Sequence, residues 1–202
     1  MRIITISREF GSGGRELGMR LAEALGIPCY DHELIEEVAK QNNMDVEQVS
    51  NISERDIQLY YPLTMGRRFA SMLKVDTRPV QVVVALQEAI RRFAHQGDCV
   101  IVGRCADVIL KDMEPLNIFV YADAASKLRR CEQRAPEDEK LSTPALNRLI
   151  AQVDKDRAAY RDLFSDDQWG KKEAYHLCVN TSGKQIKQLV PALAGYVNCW
   201  FA

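Results

Sequence analysis

Apolar positions in this chain change period in a repeating way. Residues 2–7 (Arg-Ile-Ile-Thr-Ile-Ser) form a short β-branched run, the pattern of a buried strand. From Glu16 to Leu25 the period changes, with Leu17, Leu21, Ala22 and Leu25 at helical spacing; Gly26 then stops the helix and Pro28 keeps it stopped. The chain therefore opens as strand, glycine-rich turn, helix. Ile27-Pro-Cys-Tyr30 reads as a second short strand and 33–41 as a short helix. The same reasoning predicts helices over 80–94, 124–134, 144–164 and 185–197. It predicts buried strands over 99–102, 117–121 and 175–180. Residues 45–75 are more polar and less periodic, with a break at Tyr60-Tyr61-Pro62, and read as helical pieces over a site rather than as sheet. Tyr60 and Tyr61 suit core packing better than the stacking of a base. Residues 135–143 read as an exposed loop.

Strands alternating with helices predict an α/β fold, a parallel sheet covered on both faces in three layers. The 202 residues make one domain. Lys and Arg number 27 against 28 for Asp and Glu, a net charge of -1, which argues against an electrostatically driven nucleic-acid binder and leaves room for a local basic site. No apolar run approaches the roughly 18 residues of a membrane span. Charge returns at Arg8, too soon for a signal peptide, so the expectation is a cytoplasmic protein with no membrane partner. The six cysteines include no CxxC pair and several lie in apolar runs, so reduced thiols are expected rather than a disulfide framework. His32, His95 and His176 have no ligand spacing. The apolar end Tyr196-Val-Asn-Cys-Trp-Phe-Ala either packs on the core or joins subunits, which leaves a homodimer open.

Three stretches carry candidate chemistry. Ser7-Arg-Glu-Phe-Gly-Ser-Gly-Gly-Arg-Glu-Leu-Gly18 lies between a strand and a helix. Glycines there let backbone N–H groups surround an anion at a helix N-terminus, making Arg8, Gly11, Ser12, Gly13, Gly14, Arg15 and Glu16 candidates for phosphate binding. The same glycines would equally serve close packing of helix on strand. Against the pattern G-x-x-x-x-G-K-[ST], Gly14 stands in the lysine position and Arg15 in the hydroxyl position. Arg8 and Arg15 can supply the missing charge as planar forks, and Ser12 is the candidate hydroxyl near a metal. Val100-Ile-Val-Gly-Arg104 ends a strand, where ligands of open parallel sheets sit. Arg104 thus either points at the same crevice as the glycine loop or is a surface arginine after a turn, and Asp107 three residues on either pairs with it or faces substrate. Asp154-Lys-Asp-Arg157, followed by Arg161 at i+4, sets two arginines on one helix face. They suit a clamp on transferring phosphates, and equally a solvated helix of paired charges. Asp31 either meets substrate or caps the helix that follows.

These residues carry a family resemblance. Ile4-Thr-Ile-Ser-Arg-Glu-Phe-Gly-Ser-Gly-Gly-Arg-Glu-Leu-Gly, Leu25-Gly-Ile-Pro-Cys-Tyr-Asp-His-Glu-Leu-Ile, Val100-Ile-Val-Gly-Arg-Cys-Ala-Asp107, Asp154-Lys-Asp-Arg157 and Tyr175-His-Leu-Cys-Val-Asn-Thr181 together resemble the bacterial cytidylate-kinase-like family. The resemblance implies a P-loop NTPase-like fold of five parallel strands. It divides the chain into a core (1–44, 76–134, 165–202), a helical substrate-binding insert at about 45–75 and a lid at about 135–164. It further implies phosphoryl transfer from ATP or another NTP, with Mg2+, to a small acceptor, a nucleoside monophosphate such as CMP or dCMP. Residues 11–16 would hold the donor phosphates, Arg104 the acceptor, and Arg157 with Arg161 the transferring group. True cytidylate kinases keep the loop lysine and an Asp after Gly-Arg, where this chain has Gly14 and Cys105. The alternatives are a nucleotide-binding regulatory protein without turnover, which Gly14 favours, and a kinase of a non-nucleotide small molecule.

Overall fold

In a computed structural model, residues 1–54, 78–135 and 141–202 are described. Five parallel strands lie in the order β2-β3-β1-β4-β5, with β1 at Ile3–Arg8, β2 at Cys29–Tyr30, β3 at Cys99–Val102, β4 at Leu116–Tyr121 and β5 at Leu177–Asn180. Side-chain alternation along the central strands feeds two cores. Ile3 and Ile101 face one layer with Leu34, Ile35, Val38, Leu86 and Ile90. Ile4, Ile6, Val100 and Val102 face the other with Leu17, Leu21, Val190 and Val197. Helices α2 (His32–Gln41), α3 (Val46–Glu54) and α4 (Arg78–His95) therefore cover one face, and α1 (Gly14–Leu25) and α8 (Ile186–Trp200) the other. Leu17 and Leu21 are fully buried, each stabilising the α1 layer by about 1.5–3 kcal/mol.

The remaining helices are α5 (Ala106–Ile109), α6 (Ala124–Arg134) and α7 (Thr143–Asp162). Asp123 caps α6, its carboxylate accepting from the Ser126 N–H at 2.6 Å, and that bond holds the Asp123 carboxyl below its usual range. Strand β1 runs one residue further than its apolar run, because Arg8 stays in register with Val120 of β4. The arginine thus belongs to the end of a strand and not to the loop. The part of the expected insert at 46–54 is helical; 55–75, including Tyr60-Tyr61-Pro62, lie outside the described residues, as do 136–140 of the expected loop. All six cysteines are free. Among the described residues no helix is long and apolar enough to cross a membrane. The apolar chain end is divided: Val197 is fully buried and Phe201 packs on the core, while Trp200 is largely exposed beside His176 and Tyr196.

Candidate functional site

Neighbouring strands β1 and β3 end side by side, Ile6 opposite Val102, so the chain leaves both at the same edge of the sheet. After β1 it turns through residues 9–13 into α1. Gly11 and Gly13 take positive φ values of 75° and 83°. Space also demands glycine here: a Cβ on Gly11 would lie 2.9 Å from the Lys127 carbonyl oxygen, and one on Gly13 would lie 2.5 Å from Ile186 Cδ1. The loop is thus pressed against α6 and α8. Its Ser12 carbonyl accepts from Thr181 Oγ1 at 2.7 Å and Arg130 at 3.2 Å. What the loop offers an anion is N–H groups, since those of the first turn of α1 have no acceptor within the helix.

Helix α7 braces this loop from the other side. Asp154 accepts from the Phe10 N–H at 2.6 Å with one carboxylate oxygen and from Lys127 Nζ at 2.8 Å with the other. Lys127 also donates to Glu9 at 3.2 Å. Burial alone would pull the Lys127 pKa down, but Asp154 and then Glu9 outweigh it and leave it raised, so the ammonium stays charged. Arg157 donates to the Arg8 carbonyl at 3.1 Å, and its guanidinium lies 5.8 Å from the Phe10 ring centre.

After β3, Gly103, Arg104 and Cys105 all hold positive φ, at 78°, 57° and 54°. Two consecutive non-glycine residues in the left-handed region cost on the order of 1 kcal/mol or more each. The turn spends that strain on setting a buried Arg104 beside the loop. Burial pushes the Cys105 thiol far up, so it is an uncharged packing group here.

One cleft of about 300 Å³ is lined by Arg8, Gly11, Gly13, Gly14, Arg15, Asp31, Arg104 and Arg157, all singled out from the sequence. Glu9, Phe10, His32, Ser50 and Arg134 complete it. Arg15 and Asp31 are paired with each other across its mouth at 2.6 Å. Four candidates lie elsewhere. Ser12 is fully buried, its hydroxyl donating to the Glu9 carbonyl at 2.8 Å. Glu16 pairs with Arg20 at 2.9 Å and with Arg134, and faces a neighbouring cleft of about 550 Å³ lined also by Arg129, Arg130, Lys184 and Lys187. Arg161 and Asp107 form a buried ion pair with each other. Burial alone would lower the Arg161 pKa, but Asp107 outweighs it. Arg161 also donates to the Asp167 carbonyl at 3.2 Å and lies 5.3 Å from the Tyr175 ring centre, walling an inner hole of about 30 Å³ that opens beside Arg8, Arg104 and Arg157.

Sequence reasoning missed Lys127, Glu9, Arg130 and Thr181 as parts of the loop's support. The only signal was the run of basic residues on 124–134, which says nothing of the partner each one finds. Among the described residues, no group of three or more His, Cys, Asp or Glu could hold a metal ion.

The chain is 26% identical over 168 residues to a cytidylate kinase of Methanococcus vannielii, covering 81% of each chain. Its fold is similar to an uncharacterised protein from Eubacterium ventriosum, with a TM-score of 0.71 at 24% identity over 98% of this chain and 99% of that one. It is also similar to a shikimate kinase from Bacteroides thetaiotaomicron, with a TM-score of 0.59 at 15% identity over 98% of both chains. With five parallel strands flanked by helices, this chain has a P-loop NTPase-like fold. A family model described as the cytidylate kinase-like family matches residues 3–183, and the chain belongs to that family of phosphotransferases.

Proposed function

We propose that this protein transfers the terminal phosphoryl group of ATP, carried with magnesium, to a nucleoside monophosphate, CMP or dCMP before others. The observation that carries the reading is one cleft at the carboxyl ends of the strands holding the glycine loop, Arg104 and Arg157 together. The loop amides and the N-terminus of α1 take the donor phosphates. Arg15 joins them when it parts from Asp31, which frees Asp31 toward the acceptor. Arg104 takes the acceptor's phosphate, a planar fork on a turn already bent to hold it. Arg157 holds the loop backbone and walls the cleft beside the transferring group. Arg161, paired with Asp107, keeps α7 seated on the β3 turn under the acceptor end. The neighbouring basic cleft beside Arg130 and Lys184 suits the rest of the donor nucleotide. Such a site works by position and charge, with no covalent intermediate on the chain. The cytidylate kinase relative supports a cytosine acceptor.

The test is ATP consumption in a coupled assay with magnesium against CMP, dCMP, UMP, AMP and GMP, with Arg104→Ala protein alongside. Turnover with a pyrimidine monophosphate is expected. In the variant the acceptor KM should rise by about tenfold or more while ATP affinity holds, as loss of a charge-assisted fork requires. ATP binding without turnover on any acceptor would make the protein a nucleotide-binding regulator. Turnover on a non-nucleotide acceptor alone would overturn the acceptor assignment.

A further inference from the structure

Gly14 stands where a phosphate-binding loop of the ordinary pattern carries its lysine. Unlike Gly11 and Gly13, it does not have a positive φ, so backbone conformation does not explain it. Space does. A Cβ on Gly14 would lie 2.5 Å from Arg8 Cβ, 3.1 Å from Arg8 Cγ and 3.3 Å from Val120 Cβ. Arg8 Cβ is fixed to the backbone of β1 and cannot swing aside. A side chain at 14 and the arginine at 8 therefore exclude one another.

The far end of Arg8 is matched by a second glycine. A Cβ on Gly103 would stand 1.7 Å from Arg8 Nη1 and 2.6 Å from its Cζ. The arginine stem thus leaves β1 through the room vacated at residue 14. Its guanidinium rests on the bare backbone of the turn that carries Arg104. There it lines both the 300 Å³ cleft and the 30 Å³ hole beneath, as Arg104 and Arg157 do. Its fork lies between the donor loop and the acceptor turn.

We propose that Arg8 is the cation on the transferring phosphoryl group, doing from the end of β1 what a lysine at residue 14 does from α1. Glycine at 14 is then the condition for this arrangement and not the mark of a dead kinase. The inference rests on the phosphotransferase reading above. Because the guanidinium sits against the acceptor turn, it acts on the group in flight more than on the nucleotide at rest. The loop amides and the basic cleft hold the nucleotide without it.

The experiment compares wild type, Arg8→Ala, Gly14→Lys and the double variant Arg8→Gly/Gly14→Lys, each checked for folding by circular dichroism. Calorimetry measures ADP affinity with magnesium, alone and with aluminium fluoride, whose planar complex stands in for the group in flight with water in the acceptor's place. In Arg8→Ala, ADP affinity should stay within about threefold, while the fluoride-dependent gain seen in wild type is lost and kcat on any accepted substrate falls by about 10²–10³, the usual cost of one preorganised charge at such a site. Gly14→Lys should lose stability through the clash with Arg8, and the Arg8→Gly change in the double variant, which removes the Cβ that would stand 2.5 Å from a Cβ at 14, should restore much of the melting temperature and part of the fluoride gain. An Arg8→Ala protein that keeps the gain and its kcat overturns the proposal alone, as does a double variant no better than Gly14→Lys. A wild type with neither turnover nor gain overturns the kinase reading and this proposal with it.

Discussion

Replacing Asp154 by alanine should cost the protein about 3 kcal/mol. The carboxylate is largely buried, at 15% side-chain exposure, and so is its partner Lys127, at 12%. Three contacts are involved: the Phe10 N–H at 2.6 Å, Lys127 Nζ at 2.8 Å and, at 4.0 Å, Arg157. A hydrogen bond from a backbone amide to a carboxylate contributes about 1.5–3 kcal/mol. Breaking a buried ion pair by removing one partner costs about 3–5 kcal/mol. Lys127 retains Glu9 at 3.2 Å, so only part of that second penalty applies. The sum settles near the low end, which for a chain of this length is a fall of about 6–12 °C in Tm. Asp154→Asn keeps an acceptor for Phe10 and loses the charge for Lys127, so it should cost about half as much. Urea unfolding with an unchanged m value is the assay, on Asp154→Ala, Lys127→Met and the pair combined. The pair should cost less than the sum of the singles by about 1–3 kcal/mol, because the second change removes a charge the first left stranded. ATP affinity should fall with stability in Asp154→Ala, since Phe10 belongs to the loop. A variant within about 0.5 kcal/mol of wild type, or strict additivity, would show that the brace carries no load.

Three further outcomes are expected. Arg161→Leu strands the buried Asp107 and should cost about 3–5 kcal/mol by urea midpoint, whereas leucine at both positions should recover most of the loss. In thiol titration at pH 8, exposed Cys199 should react at once and Cys29, Cys99 and Cys105 only on unfolding, because burial pushes Cys29 up to about 12, Cys99 up to about 11 and Cys105 higher still; rapid labelling of Cys105 in the folded protein would contradict its placement. The Arg2 N–H and guanidinium, each 2.7 Å from its carboxyl oxygens, hold Asp98 below its usual value. Its contribution is therefore complete above the unfolded pKa near 4 and lost as pH falls through the depressed one. Asp98→Asn should flatten the acid limb of the stability curve by up to about 1 kcal/mol, no more, because the pair is one-third exposed.

The elements were legible because each carries its own period. Leu17, Leu21 and Ala22 announce the buried stripe of α1, and the β-branched run at 99–102 announces β3, both without knowledge of any partner. The end of β1 was not legible, since Arg8 is held in the strand by register with Val120, more than a hundred residues away. The short helix α5 was missed for a related reason. It follows three left-handed residues, two of which carry side chains that avoid that conformation when left to themselves. At the site, residue type was legible and partner was not. Asp31 and Arg15 were both marked as ligands, and the structure pairs them with each other. The same holds for Asp107 and Arg161. A charged residue near a glycine loop has the same sequence signature whether it faces a phosphate or a countercharge. Only the packing of the elements that carry them, α1 against the end of β2 for one pair and α7 against α5 for the other, distinguishes the two.

The spacing of Asp154, Arg157 and Arg161 has a mechanical meaning that its i, i+3, i+7 periodicity only hinted at. All three project from one side of α7, and each ends on a fixed part of the site: the Phe10 amide, the Arg8 carbonyl, and Asp107 behind the β3 turn. One helix thus grips the glycine loop at one level and the β3 turn two helical turns below. Lifting that half of α7 would break three charge-assisted contacts at about 1.5–3 kcal/mol each, far more than a closing motion driven by substrate ordinarily recovers. This stretch acts as a wall that sets the distance between loop and turn. Substitutions at 154, 157 and 161 should therefore shift the loop against the β3 turn and lower nucleotide affinity, with little effect on how fast nucleotide enters and leaves.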